Sequence, residues 1–144
     1  MSFKSLSLIV LLASASLLAG AQTEKTAFGT SHTRSDSAYD VFTPIGKYLL
    51  LGDAEKLSAW FADNLEIKVL SQVNDASRDQ ARQIVKSFFD NYRPRSFELS
   101  HTVGKNASKY GVGLMNAGGE TFRVTILVNY DGNGYWIRQL RIEH

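Results

Sequence analysis

His101 is the candidate acid–base residue of this chain. An imidazole changes its charge near neutral pH, and His101 lies in a segment where apolar and polar residues alternate. If Leu99, His101 and Val103 share the inner face of a strand, the imidazole points inward, where general acid–base catalysis can take place. A catalytic imidazole also needs a carboxylate to orient it, and neither Glu98 nor Glu120 is required to face inward. Because a lone inward histidine is usually structural, we assign no catalytic residue.

Arg138 is the candidate for binding an anionic group. It alternates with Trp136 and Leu140, and an arginine on an apolar inner face must pair with a carboxylate or bind an anionic ligand. Aromatic side chains would complete a pocket for a small apolar or amphipathic anionic molecule. The predicted lining is Tyr48, Trp60, Phe88, His101, Tyr110, Trp136 and Arg138. The alternative is that Arg138 lies toward the rim, with its aliphatic stem on apolar surface and its guanidinium in water.

Sequence patterns for metal, nucleotide or nucleophilic chemistry are missing. His32, His101 and His144 are far apart, and no group of histidine, cysteine and carboxylate residues has the spacing of metal ligands. Gly111 and Gly113 lie in a predicted strand rather than before a helix that could receive a phosphate. No Ser–His–Asp arrangement or dinucleotide-binding fingerprint appears. We therefore expect neither a metal nor a cofactor.

Two helices are predicted at the start of the domain. Residues 40–51 carry apolar side chains at three-to-four spacing, and Gly52 follows where a helix would end in the left-handed conformation. Pro44 leaves the start open: either Thr43 caps a short helix, or an earlier turn precedes a kink. Asp53 is predicted to cap the second helix, because its carboxylate can accept from the free amides of the first turn.

A longer helix and five strands complete the predicted architecture. Ser77 and Gln80 form a capping-box pattern, followed by an apolar stripe at helical spacing up to Tyr92. A two-residue period marks one strand before this helix, around residues 65–69, and four strands after residue 96, separated by short Asn-, Gly- and Asp-rich breaks. The order α-α-β-α-β-β-β-β predicts an α+β cone, in which a curved antiparallel sheet wraps around the long helix. Such a cone holds a small molecule or is filled by its own aromatic side chains.

The segment GDAEKLSAWFADNLEI, residues 52–67, resembles the nuclear transport factor 2-like (cystatin-like) superfamily, whose fold is shared with ketosteroid isomerases and scytalone dehydratase. Supporting segments are FTPIGKYLLLGD, ETFRVTILVNY and IRQLRIE, so the resemblance runs from about Tyr39 to Glu143. Within that superfamily the chain is most similar to exported Bacteroidetes-type proteins classed as a domain of unknown function. The resemblance implies the fold but not one activity, because this scaffold carries enzymes, binding modules and assembly domains.

The enzyme relatives can be compared with this chain residue by residue. In the ketosteroid isomerase type, a catalytic aspartate follows the Phe-Ala-Asp element on the first strand. Aligning on Ala62 and Asp63 puts Val69 at that place, and an aliphatic side chain cannot abstract a proton. Tyr48 stands near the position of an oxyanion-stabilising tyrosine, but a tyrosine beside Leu49 is more often a packing residue. The resemblance therefore leans against an enzyme.

The N-terminus predicts export. Residues 1–21 combine Lys4, an apolar run and the small residues of a signal-peptidase site, which indicates a signal peptide. The run is shorter than the roughly 20 residues that span a bilayer, so we predict no stable membrane anchor. Residues 22–37 are predicted to be a flexible leader and residues 38–144 a single domain. We expect a soluble periplasmic or extracellular protein.

Composition excludes some partners and one source of stability. The chain has no cysteine, so its core must stabilise it without disulfides. Sixteen Lys and Arg residues nearly balance fourteen Asp and Glu residues, which gives no electrostatic case for binding nucleic acid.

Three functions remain open from the sequence. The first is a non-catalytic module that binds a small ligand in the cone. The second is a homodimer or protein-interaction domain that uses the outer face of the sheet, around Arg123 and Leu127. The third is an isomerase- or dehydratase-like enzyme with an atypical acid–base pair such as His101 and Tyr48.

Overall fold

The structure, a computed structural model, describes residues 40–105 and 107–144, which contain three helices and six strands. The helices are α1 (Phe42–Leu51), α2 (Ala54–Ser58) and α3 (Arg78–Asn91). The strands are β1 (Phe61–Val69), β2 (Gln72–Ser77), β3 (Pro94–Lys105), β4 (Ser108–Ala117), β5 (Glu120–Tyr130) and β6 (Tyr135–Glu143). The predicted α+β class is confirmed.

Asp40 determines where α1 begins. Its carboxylate accepts hydrogen bonds from the backbone amides of Phe42 (3.0 Å) and Thr43 (3.2 Å) and from the Thr43 hydroxyl. The amides of a first helical turn have no partner within the helix, so Pro44, which has no amide hydrogen, is tolerated there. Asp40 therefore provides the cap that the sequence left open. The helix ends at Gly52, whose φ of 66° is the left-handed conformation expected at that position.

The other two helices begin at the predicted caps. The Asp53 carboxylate accepts from the Lys56 amide at 2.9 Å and starts α2. At the start of α3, the Ser77 hydroxyl accepts from the Gln80 amide at 3.2 Å, and the Gln80 side chain accepts from the Ser77 amide at 3.0 Å. Both halves of the capping box are thus present, which fixes the first turn of the long helix.

The six strands form one mixed sheet in the order β2-β1-β6-β5-β4-β3. All neighbouring strands are antiparallel except β1 and β6, which run parallel. The sequence pattern does not predict β2. This strand lies at the edge of the sheet and buries only Ala76 fully, so it lacks the apolar alternation by which a half-buried strand is detected.

The inner face of the sheet, which packs against the helices, is filled with side chains. On β5 it carries Phe122, Val124, Ile126 and Val128, all fully buried. Phe88 of α3 lies edge-on to Phe122, with ring centroids 5.2 Å apart, and Tyr92 stacks on Phe88 at 5.0 Å. Each such large buried side chain contributes about 1.5–3 kcal/mol. The outer face, which carries Arg123 and Leu127 on the same strand, points away from the helices.

The predicted signal peptide (1–21) and leader (22–37) lie outside the described residues. Within residues 40–105 and 107–144, no helix combines the length and the hydropathy that crossing a membrane requires.

Candidate functional site

Arg138 does not lie on the inner face, because β6 carries a bulge at this residue. Opposite β5, Ile137 pairs with Val128 and Gln139 pairs with Leu127, so Arg138 is an extra residue. One extra residue reverses the alternation of side chains on the N-terminal side of the bulge. Ile137 is fully buried and Arg138 is exposed, which fits the alternative in which Arg138 lies toward the rim and not the inward placement. Trp136, which pairs with Asn129, is likewise half-buried rather than part of the inner face.

A bulge on β3 likewise changes the face of the sheet on which His101 lies. On β3, Leu99 pairs with Gly113 and His101 pairs with Val112, which leaves Ser100 as an extra residue. Leu99 is half-buried, whereas His101 is exposed and lies on the outer face beside Val112. The predicted inward orientation of His101 is therefore wrong.

The predicted pocket residues do not line one cavity. Tyr48 and Trp60 are half-buried and pack against the core, and Tyr110 is exposed on the outer face of β4. Phe88 is buried and borders one groove. Trp136 and Arg138 lie together in a separate cleft.

The first of these sites is a groove between α3 and the turn that joins β1 to β2. Its volume is about 500 Å³. The apolar lining is Val69, Leu70, Ile84, Phe88 and Tyr92. The polar lining is Ser71, Gln72, Asn74, Gln83, Ser87 and Asn91. An apolar floor bordered by uncharged amides and hydroxyls suits a small neutral molecule with both apolar and polar parts.

Leu70 occupies an unusual backbone conformation in the groove. Its φ is 59°, in the left-handed region that non-glycine residues seldom adopt. Leu70 is the first of the two turn residues between β1 and β2, where glycine is the usual choice. The Leu70 amide donates to the Ile142 carbonyl at 2.8 Å, which holds the turn against β6. The conformation costs on the order of 1 kcal/mol and presents an apolar side chain to the groove.

The second site is a polar cleft at the junction of β1, β6 and the β5–β6 turn. Its volume is about 480 Å³. Apart from Ala62, its lining consists of Asp63, Asn64, Arg78, Asn129, Tyr130, Asp131, Trp136 and Arg138. Arg78 donates to the Phe61 carbonyl and to the Asp63 carboxylate, both at 3.0 Å, and its guanidinium lies 5.8 Å from the centre of the Trp136 ring.

Asp131 is fixed by the turn that borders this cleft. Its carboxylate accepts from the backbone amides of Asn133 (2.8 Å) and Gly134 (3.1 Å). These bonds, together with one from the Trp136 side chain, hold the pKa of Asp131 below its ordinary value, with the Asn133 amide as the largest cause. Asp131 therefore stays ionised at neutral pH.

The groove does not have the groups used for acid–base catalysis of the ketosteroid isomerase type. Val69 borders the groove, where it cannot move a proton, and no described residue that lines the groove is a carboxylate, imidazole or cation. In the described part of the chain, no three His, Asp or Glu residues lie close enough together to hold a metal.

Sequence reasoning missed several lining residues of both sites. Gln83 and Ser87 lie outside the apolar stripe that predicts α3, so the helical pattern gives no reason to place them in a site. Leu70 gave no signal, because the two-residue turn that contains it is recognisable only once the pairing of β1 with β2 is known. For Arg78 there was none, since an arginine at the first position of a helix does not indicate where its side chain binds.

Comparison with known proteins identifies the family. A comparison with curated proteins gives no match. A protein of the family DUF4783 from Bacteroides uniformis is 22% identical, with a TM-score of 0.69, over 72% of this chain and 96% of its own. Another protein of this family, from Bacteroides fragilis, is 20% identical, with a TM-score of 0.66, over 74% of this chain and 98% of its own. A domain of unknown function with a cystatin-like fold from Nostoc punctiforme is 14% identical, with a TM-score of 0.55, over 71% of both chains.

These likenesses show the nuclear transport factor 2-like, cystatin-like fold expected from the sequence motif. The family model described as Domain of unknown function (DUF4783) matches residues 42–143, which is most of the chain. The chain therefore belongs to this family of unknown function.

Proposed function

We propose that this protein is a non-catalytic binding module for a small, neutral, amphipathic ligand, held in the groove between α3 and the β1–β2 turn. The observation that carries the proposal is the groove of about 500 Å³ with its apolar floor and uncharged polar border. Small-molecule sites have volumes of ~300–1,000 Å³ and are mostly apolar with a few polar groups.

The charge of the groove distinguishes this ligand from the anionic one predicted from the sequence. Arg138, the side chain expected to hold an anion, lines the polar cleft instead. The groove offers amides at Gln72, Asn74, Gln83 and Asn91, which donate and accept hydrogen bonds without a net charge. Hydroxyl, carbonyl or amide groups on an otherwise apolar molecule fit these partners.

The composition of the floor also favours binding over catalysis. Ile84 and Phe88 come from α3, Tyr92 follows its last residue, and Val69 and Leu70 come from the facing strand and turn. Such a surface contributes about 25 cal/mol for each Å² of apolar area removed from water, without any proton transfer.

Native mass spectrometry of the full chain, purified without denaturant, tests this proposal. We expect a bound small molecule, or binding of the neutral dye Nile red with an increase in its fluorescence. Ser87→Trp should abolish both, because an indole at this position fills the groove. The matched control is Ser96→Trp, which adds the same ring on the outer face of β3 and should bind as the wild type does. Equal binding by both variants, or no binding by the wild type, would refute the proposal.

Association of two copies through the outer face of the sheet is the second candidate function. One observation favours it: large apolar side chains are exposed next to one another on β3 and β4. Val103 is 47% exposed, Tyr110 36% and Leu114 53%. Val103 pairs with Tyr110, and Tyr110 pairs with Leu127 on β5, so the apolar side chains are contiguous across three strands. Contiguous exposed apolar surface is typical of an interaction site.

A further inference from the structure

Strands β1 and β6 separate at Arg138 and open the polar cleft. Phe61 pairs with Ile137, and the next pair is Glu66 with Gln139. The segment 62–65 of β1 therefore lies opposite Arg138 alone. The bulge between β6 and β5 falls at the same residue. Two register irregularities thus coincide at one arginine, and bulges of this kind often turn a side chain toward a binding site.

Arg138 is the cation in this cleft whose charge is available. In residues 40–105 and 107–144, the structure gives it no hydrogen bond or ion pair, and it is exposed. Arg78, by contrast, is bound to the Phe61 carbonyl and to Asp63. Asp131 is held by the amides of its own turn. A guanidinium without a protein partner, at the mouth of a cleft, fits a carboxylate or phosphate bidentately.

The surrounding charges favour a single negative charge on the ligand. Arg78 and Arg138 are balanced by Asp63 and Asp131, so the formal charge of the lining is zero. A dianionic phosphate would place its second charge near two carboxylates, and like charges brought together are unfavourable. A carboxylate carries a single negative charge, which Arg138 alone balances.

The uncharged lining favours hydroxyl groups on the same ligand. Asn64 and Asn129 lie on either side of the cleft, and the Asn129 oxygen already accepts from the Ser108 hydroxyl, which leaves its amide hydrogens to donate. Trp136 is half-buried and offers an apolar ring surface. Hydroxyls can bond to the amides, while the C–H groups of a small ring pack on the indole.

We propose that this cleft binds a polyhydroxylated carboxylate with the chemistry of a uronic acid. Its carboxylate pairs with Arg138, its hydroxyls bond to Asn64 and Asn129, and its ring contacts Trp136. The cleft is separate from the groove beside α3, so this site does not depend on the neutral-ligand site.

The two tryptophans provide a local test. Glucuronate, glucose and inorganic phosphate are titrated separately into the ¹⁵N-labelled full chain, and the indole N–H signals are followed by NMR. We expect glucuronate to shift the Trp136 signal in a saturable way and to leave that of Trp60, which does not line the cleft, unchanged. Glucose has the same ring without the carboxylate and should bind at least tenfold more weakly, because it cannot form the charge-assisted hydrogen bonds to Arg138.

Variants identify the residue responsible. Arg138→Gln should lower glucuronate affinity at least tenfold, and Arg138→Lys should lower it less, because lysine keeps the charge but not the planar fork. Arg123→Gln, on the outer face of β5, and the groove variant Ser87→Trp should both bind glucuronate like the wild type. Equal affinity for glucose and glucuronate, equal affinity for phosphate and glucuronate, or full binding by Arg138→Gln would overturn the proposal.

Discussion

Glu143 shows how a single side chain couples this fold to pH. On β6 it accepts from the Lys68 ammonium of β1 at 2.8 Å and from Arg141 at 3.3 Å. The Lys68 hydrogen bond is the main cause that lowers the pKa of Glu143 below its ordinary value of 4.5. A carboxyl group whose pKa is lower in the folded state stabilises that state above its unfolded pKa. This contribution is lost as the pH falls through the lowered value.

We expect Glu143→Gln to remove part of the acid sensitivity of the fold. At pH 7 the variant should be less stable by ~0.5 kcal/mol, because the pair is partly exposed and screened by water. As the pH falls through the lowered pKa, wild type and variant should differ less, since the wild-type carboxyl then becomes protonated. Urea unfolding at a series of pH values from 7 downward measures this. Glu98→Gln, which changes an exposed carboxylate on β3, is the matched control, and an equal change in both variants would contradict the assignment.

Strand β6 shows how one inserted residue decides which side chains of an element are buried. Leu140 and Ile142 are buried, as the sequence pattern predicts, and Ile137 is buried because Arg138 is accommodated as a bulge. Without this extra residue, Ile137, Gln139 and Leu140 would follow the regular alternation of a strand.

Two single-residue deletions should therefore lower the free energy of unfolding by very different amounts. Deleting Arg138 leaves Ile137, Leu140 and Ile142 on the inner face, and we expect the free energy of unfolding to fall by less than ~1 kcal/mol. Deleting Ile137 moves Arg138 into its buried position, and we expect a loss of more than ~3 kcal/mol or no folding. Urea unfolding followed by circular dichroism measures both. Similar losses in the two variants would show that the bulge does not set the register.

At the scale of the whole molecule, the proposed association of two copies through the outer face would bring opposite charges together. Glu98, Leu114 and Arg123 lie side by side on β3, β4 and β5. A two-fold axis along β4 places β3 of one copy over β5 of the other. Each exposed Leu114 then meets its own counterpart, and Glu98 of each copy meets Arg123 of the other. Self-complementary patches of this kind are the rule in symmetric dimers.

A charge exchange tests whether the protein uses this surface. If the wild type dimerises, Glu98→Arg and Arg123→Glu should each weaken the dimer, since each places like charges opposite one another. The double variant with both substitutions should restore it, and Leu114→Lys should dissociate it. Sedimentation velocity measures the oligomeric state, and circular dichroism checks the fold. A monomeric wild type at every concentration, or no recovery in the double variant, would exclude this dimer.

The sequence by itself determined the class of fold and most of its elements. Caps at Asp53 and Ser77, the apolar stripe of α3 and the alternation on β5 are local signals, because each depends on hydrogen bonds or spacing within a few residues. The motif that contains Gly-Asp and Phe-Ala-Asp indicated the superfamily. The structure contains these predicted features because local propensity and tertiary packing favour the same conformation at these residues.

Tertiary structure decided where the sites lie. The bulges at Ser100 and Arg138 reverse the alternation of buried and exposed side chains. A bulge depends on the register with the neighbouring strand, and the sequence of the bulged strand alone does not specify that register. The polar β2 exists as a strand only because it pairs with β1. For the same reason Leu70, Ser87 and Asn91 form a groove only once this hairpin lies beside α3, and Trp136 and Arg138 share a cleft only because β1 and β6 separate.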